Sequence, residues 1–164
     1  MIWHQGLLFK IKKCFSDHYY WLFTSYLKDR YFQVKVEGDF SHIHAIRSDA
    51  PQGSILGPFL YSLSTADIPT TEDTCIATFA DDTAILTTST DPVTASNKLQ
   101  ERLDTIQNWF HRWRIHVNET KSTHFTFTNK KITRPTVHLN SNIIPYSDLV
   151  KYLGLHLDLP GKFI

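Results

Sequence analysis

Apolar positions recur along this chain in two rhythms, and the rhythms divide it into segments. Leu7, Leu8, Ile11 and Phe15 fall at helical spacing, so residues 4–14 are predicted to form a helix with one buried face. Residues 17–28, DHYYWLFTSYLK, read as a second helix with Asp17 as its N-cap. The rhythm then shortens to two. YFQVKVEG, from Tyr31, reads as a strand closed by a glycine turn, and HIHAIR, from His42, as its antiparallel partner. A helical pattern resumes from about Ser54 to Asp67, where Pro58 is tolerated if it sits in the first turn. Residues 74–88 read as two short strands hinged at Asp81 and Asp82. The clearest period lies in residues 92–113, where Ala95, Leu99, Leu103, Ile106, Phe110 and Trp113 form one stripe. Leu99, Leu103, Ile106 and Phe110 are expected to be buried against a sheet while Lys98 and Glu101 face water. Beyond it, HFTFT around Phe125 is rich in strand formers, and TVHLNSNIIPY breaks like a hairpin. Leu153, Leu155 and Leu157 alternate in KYLGLHLD as one strand with a buried face. The fold class that follows is α+β, with an antiparallel sheet carrying helices packed on one face.

Composition narrows the classes without naming a function. Of 164 residues, 41% are hydrophobic and 13% aromatic, enough to build a core and unlike a disordered tail. The length favours one domain or a large piece of one. A formal net charge of +1 gives no bulk sign of a nucleic-acid partner. A basic face is still available, because Lys10, Lys12, Lys13, Lys28, Arg30 and Lys35 crowd the first part while acids gather between Asp67 and Asp104. Cys14 and Cys75 have neither metal-ligand spacing nor a disulfide framework, and the nine His are scattered. A reducing compartment is the default. No apolar run is long enough to cross a membrane. The basic start, MIWHQGLLFKIKKCF, has the look of a transit peptide but reads better as an ordinary helix. Asn118-Glu119-Thr120 matches a glycosylation sequon and carries no weight without a signal peptide.

The chemistry concentrates in CIATFADDTAIL, residues 75–86, where two adjacent acids interrupt a strand-forming run with no Lys or Arg nearby. Turn chemistry accounts for one Asp, whose side chain bonds nearby backbone amides. It accounts less well for two, because adjacent like charges repel and a stability turn more commonly uses Asn-Gly or Asp-Gly. A carboxylate pair at a rigid strand end suits hard cations such as Mg²⁺. Two such ions can activate a hydroxyl nucleophile and stabilise a phosphate leaving group. On the pair alone, the two readings stand about even.

Four elements taken together carry a resemblance. FADD, residues 79–82, resembles the catalytic hairpin of reverse transcriptases in the form typical of non-LTR, jockey-like retrotransposons. APQGSILGPFLYSLSTADIP resembles the Pro-Gln-Gly element that precedes it, HVNETKS the Asn-x-x-Lys-Thr element that follows, and VKYLGLHLD the strand that grips the primer. The order and spacing match over nearly the whole chain. The resemblance implies a partial palm domain over residues 1–164, and an RNA-directed DNA polymerase using two Mg²⁺ ions, an RNA template, a DNA primer and deoxynucleoside triphosphates. It implies that Asp81 ligates the metals, with Asp82 in a supporting metal-site role. Phe79 would lie near the primer end, and Gln52 and Gly53 beneath the incoming nucleotide and template base. Lys121 would approach the triphosphate as a cation and proton donor. Leu153 and Gly154 would contact primer backbone. Ser122 stands where the family more usually has Thr, and both carry a hydroxyl.

MIWHQGLL resembles the helix that follows the family's first catalytic Asp. The expectation is therefore a chain that starts just past that Asp, without fingers, thumb or endonuclease, and inactive alone. Two other readings compete. A non-catalytic retrotransposon relic or nucleic-acid-binding module would use the early Lys/Arg cluster and the aromatics. A metal-dependent phosphodiesterase would use the same Asp pair but leaves the Pro-Gln-Gly and Tyr-Leu-Gly elements without a role.

Overall fold

The computed structural model describes residues 2–50, 53–128 and 135–158. The chain divides into two compact units. One comprises residues 1–68 with 112–115, and the other comprises 69–111 with 116–164.

The first unit is built on helices. The amphipathic start forms α1, His4–Cys14, and Asp17–Leu27 forms α2. Ser16, not Asp17, occupies the N-cap of α2. Asp17 is the first helical residue, where its charge faces the positive end of the helix dipole. A third helix, α3, runs Leu56–Thr65, so Pro58 falls in its first turn. Leu7 and Ile11 of α1, Phe23 and Leu27 of α2, Leu60 of α3 and Ile2 form one buried cluster. The N-terminal segment is tied to residues 48–49: Trp3 bridges Ser48, Ile2 N–H donates to Asp49 Oδ1 at 2.6 Å, and Asp49 N–H donates back to Ile2 O at 2.9 Å.

Lys10 departs from the sequence reading. The sequence groups it with a basic face, yet only 6% of it reaches solvent. Its Nζ donates to Ser64 O and Asp67 Oδ1, both at 2.5 Å, and lies 3.8 Å from the centroid of the Trp113 ring. Burial pushes its pKa below the usual lysine value, and the Asp67 hydrogen bond and charge oppose that shift.

Between α2 and α3 the chain forms an arm of paired short strands. The expected single strand from Tyr31 is two pieces, β1 (Tyr31–Phe32) and β2 (Lys35–Val36). β2 turns at Glu37–Gly38 into β3 (Asp39–Phe40), and β4 (His44–Ala45) returns antiparallel to β1. Every residue from 31 to 45 is exposed, Phe32, Val36, Phe40 and Ile43 included.

The second unit joins helix and hairpins. Strands β5 (Thr74–Phe79) and β6 (Asp82–Thr87) pair antiparallel over six residue pairs. Helix α4 spans Pro92–Trp113, the bounds the periodicity predicts. Strands β7 (Val137–Leu139) and β8 (Asn142–Ile144) form the expected hairpin, with Asn140 and Ser141 at φ 50° and 63° in its turn. Those two left-handed residues give the turn the twist that two-residue hairpins favour. Leu103, Val137, Leu139 and Ile144 make the core, with Ile85, Leu99 and Val117 packed against it. Along α4, Leu103 and Ile106 are buried as expected. Leu99 and Phe110 are only half-buried, and Trp109, one position from the predicted stripe, is buried instead.

Two glutamines of α4 complete the edge of β7. Gln100 accepts from His138 N–H at 2.7 Å and donates to His138 O at 3.1 Å, and Gln107 Oε1 accepts from Asn140 N–H at 2.8 Å. Alternate residues of a strand point their backbone groups to the same edge, so 138 and 140 are the pair that β8 leaves unmet.

Three expectations need correction. Among the described residues the strands form five separate two-stranded sheets, not one sheet covered on one face. The HFTFT stretch is not a strand: its one ladder contact is a parallel bridge from His124 to Tyr146. KYLGLHLD is not one strand but a hairpin, β9 (Leu149–Tyr152) and β10 (Leu155–Asp158), with Leu153–Gly154 as its turn and Leu155 exposed. Four of the five ladders close through a two-residue turn with at least one left-handed residue, and β1–β4 instead encloses the β2–β3 hairpin.

Two measurements check this account. A methyl group at Gly6 would meet Trp3 Cε3 at 2.5 Å and Trp113 Cε3 at 3.2 Å. Alanine gains about 1 kcal/mol in helix propensity, while overpacking costs about 1–3 kcal/mol. Gly6→Ala is therefore expected to lower the urea midpoint, and a raised midpoint would show that the two indoles are not packed on α1. His124 is buried, and desolvation pushes its pKa below the ordinary 6.5. The unfolded chain then binds the proton first, so stability is full above about pH 6.5 and falls as pH drops toward the folded value. The urea midpoint is expected to fall between pH 8 and pH 5.5, and His124→Phe to flatten that dependence.

Candidate active site

The β5–β6 hairpin sorts its residues by alternation. Ile76 lies opposite Ile85, and Ile85 packs on the Leu103–Val137 core. Successive side chains point to opposite faces, so Cys75, Ala77 and Phe79 share the other face with Leu86, Ala84 and Asp82. That face is open: Phe79 is 63% exposed. The strands end in a two-residue turn, Ala80–Asp81, closed by the Phe79–Asp82 pair. Asp81 is therefore in the turn and Asp82 is the first residue of β6, and both are exposed. One face of the ladder fixes the hairpin to the core while its tip presents both carboxylates to solvent.

Ala80 stands at φ 47°, a left-handed conformation. A Cβ makes that conformation cost about 1–2 kcal/mol. The strained position immediately precedes the acid pair.

Lys121 ends a single 3-10 turn, Glu119–Lys121, and is exposed. Asn118 shapes that turn. Its Oδ1 accepts from Thr120 N–H at 3.1 Å and from the Thr120 hydroxyl at 2.6 Å, and its carbonyl accepts from Lys121 N–H at 3.2 Å and from the Ser122 hydroxyl at 3.1 Å. Ser122 N–H closes the turn on Glu119 O at 3.1 Å. The Asn, Thr and Ser of NETKS thus have a structural reason to be there, which reading Lys121 alone does not reveal.

Leu153 and Gly154 form the β9–β10 turn at φ 49° and 85°. Glycine takes the second position without steric cost. The hairpin lies beside β5, where the Tyr152 hydroxyl donates to Ala77 O at 3.4 Å. Tyr152, adjacent to the residues singled out, thus touches the acidic hairpin.

Gly53 belongs to the first unit. It stands at φ 78° with open space where a Cβ would be, just before Ser54, whose Oγ accepts from Leu56 N–H at 3.1 Å. Gln52 lies outside the described residues.

Carboxylate oxygens are the donors that Mg²⁺ prefers, so Asp81 and Asp82 fit the ion the resemblance implies. Among the described residues no group of three or more His, Cys, Asp or Glu side chains comes together to hold a metal. Asp81 and Asp82 would hold it with oxygens from elsewhere. Cys14 and Cys75 are exposed free thiols. Among the described residues no helix is long and apolar enough to cross a membrane.

Comparison with known families gives these residues a context. The chain belongs to the family Reverse transcriptase (RNA-dependent DNA polymerase), whose match covers residues 1–157. Within it, the chain is 42% identical over 165 residues to the RNA-directed DNA polymerase from mobile element jockey of Drosophila melanogaster, a match covering 96% of this chain and 18% of that protein. The corresponding jockey polymerase of Drosophila funebris is 40% identical over the same shares. The probable RNA-directed DNA polymerase from transposon BS of Drosophila melanogaster is also 40% identical, over 167 residues. The chain thus spans 18% of the length of these curated relatives. No solved structure matches.

The strain at Ala80 is testable by itself. Ala80→Gly removes the Cβ and is expected to stabilise the second unit by about 1 kcal/mol in urea unfolding. A destabilised variant would show that Ala80 does not hold a left-handed conformation.

Proposed function

We propose that this chain is the part of a mobile-element RNA-directed DNA polymerase that carries the catalytic hairpin. The carrying observation is the placement of Asp81 and Asp82 at the solvent-exposed tip of a ladder whose other face is anchored to a core. Such a tip holds two carboxylates rigidly while leaving their oxygens accessible. In the complete polymerase two Mg²⁺ ions would activate the primer hydroxyl and neutralise the developing charge on the phosphates. Asp81 would be the direct ligand, and Asp82, at the first ladder pair, would support it electrostatically. Phe79 shares the open face with Asp82 and would lie under the primer end. Gln52 and Gly53 would lie against the incoming nucleotide and template base, where a missing Cβ permits close approach. Lys121 would meet the triphosphate and supply a proton to pyrophosphate. Leu153 and Gly154, in a turn next to β5, would contact the primer backbone.

The template would be RNA, the primer DNA and the substrate a deoxynucleoside triphosphate. The isolated chain is expected to incorporate nothing, because two carboxylates provide only part of an octahedral oxygen shell. The competing reading as a simple nucleic-acid-binding module loses Lys10, which is committed to Asp67 and Trp113.

Primer extension tests the proposal. Residues 1–158 are grafted in place of the matching segment of the jockey polymerase and assayed with Mg²⁺ on an RNA template. The graft is expected to extend the primer, and Asp81→Asn to lower extension by at least about 10²-fold, as losing a transition-state charge stabiliser does. Asp82→Asn should cost less. Normal extension by the Asp81→Asn graft would remove Asp81 from the metal site, and extension by the isolated 164-residue chain would overturn the account of missing oxygens.

A further inference from the structure

The turn that ends in Lys121 has a tether that the motif does not announce. Asn140, in the β7–β8 turn, donates from Nδ2 to Glu119 Oε1, the first residue of the 3-10 turn. The same Asn140 gives its backbone N–H to Gln107 of α4 at 2.8 Å. A continuous path therefore runs from α4 through the β7–β8 turn to the base of the Lys121 turn. A cleft of about 470 Å³ lies beside it, lined by Glu119, Thr120, Asn142, Ile143 and Pro145. No residue of the 3-10 turn is buried, and its nearest apolar anchor on the N-terminal side is Val117, packed on the core one residue before Asn118.

We infer that Glu119 and Asn140 form a clamp that positions Lys121, making both of them positioning residues for the step in which Lys121 takes part. The inference rests on the reading of Lys121 given under Proposed function. A lysine ammonium on a four-carbon stem is a mobile point charge. Its usefulness at a developing phosphate charge depends on where its backbone is held. Glu119 and Lys121 are two residues apart, so fixing the glutamate at one end of a single turn fixes the lysine at the other. The carboxylate accepts a charge-assisted hydrogen bond, stronger than a neutral one. Its acceptor strength also shows in the direction of its titration: the Asn140 hydrogen bond pushes the Glu119 pKa below the usual carboxylate value. Asn140 is suited to its place because its φ of 50° is one that asparagine tolerates better than most residues.

Asn140→Gly tests the clamp cleanly. Glycine keeps the left-handed turn and the backbone N–H to Gln107, and removes only the carboxamide. In the 164-residue chain, hydrogen exchange of the Thr120, Lys121 and Ser122 amides is expected to accelerate about tenfold, the effect of losing one charge-assisted hydrogen bond. The β5–β6 amides should be unchanged. Glu119→Ala should act alike, and Glu119→Gln, which can still accept from Asn140, should restore most of the protection. Unchanged exchange in Asn140→Gly would overturn the clamp.

A second arm uses the jockey graft. Lys121→Ala is expected to lower kcat about 10²-fold, the lower range for a positioned proton donor. Asn140→Gly should lower kcat about tenfold with KM for the nucleotide nearly constant, and the double variant should be no worse than Lys121→Ala. Additive losses would overturn the positioning role. A harmless Lys121→Ala would instead refute the reading of Lys121 under Proposed function, and the exchange result distinguishes the two failures.

Discussion

Gln100 and Gln107 lie seven residues apart on α4, about two turns along one face. Their side-chain amides meet the main chain of β7 at 138 and 140. A two-stranded ladder leaves each outer edge with unpaired N–H and C=O groups, and burying those groups unpaired is costly. The helix supplies the missing partners itself. These bonds set the height of the β7–β8 hairpin along α4, which places Val137 and Leu139 against Leu103. Ile85 packs on that same cluster, so the position of the acidic hairpin follows from the match between two glutamines and one strand edge.

The first unit solves a harder electrostatic problem. The Lys10 side chain is 8% exposed while that of Asp67 is 49% exposed. The two ends of this ion pair are therefore unequal. Removing the lysine would leave a carboxylate that water can reach, whereas removing the aspartate would take a counter-charge from an ammonium that is nearly out of water. Indole faces attract cations, and the Ser64 carbonyl accepts, but neither supplies a counter-charge. The pair locks α1 to the end of α3, in the same unit that carries Gly53 at the approach to α3.

Much of this was legible in the chain. The bounds of α4 and the ladder of residues 74–87 follow from the period of their apolar positions, and the Asp pair at the hinge follows from the apolar runs on either side. What escaped has physical reasons. The alternation of Leu153, Leu155 and Leu157 runs straight through a turn, because period two does not register a left-handed Leu153. Only Gly154 hinted at it. In HFTFT the residues favour strands, but the backbone of His124 is spent on Pro145 O and Ser147 N–H at 2.8 and 3.0 Å, a single bridge. Lys10 sits beside Leu7 and Ile11 on the helix, yet a lysine is read as solvated until its partners are known, and these lie at positions 64, 67 and 113. Gln100 and Gln107 look like surface residues, because a side chain that replaces a strand leaves no pattern. At the candidate site, FADD and NETKS draw attention to Asp81 and Lys121, while the contacts of Tyr152, Glu119 and Asn140 emerge only when the hairpins are in place.

The ring of Trp113 over Lys10 has a consequence for how the chain is made. A ribosome releases the polypeptide from its N-terminal end, so α1 emerges long before the indole that covers it. Until residue 113 has been synthesised, Gly6 lacks one of the two rings stacked on it and the ammonium of Lys10 keeps one side in water. The buried cluster of the helical unit can close once Leu60 has been made, but its last segment, residues 112–115, arrives only after the acidic hairpin and nearly all of α4.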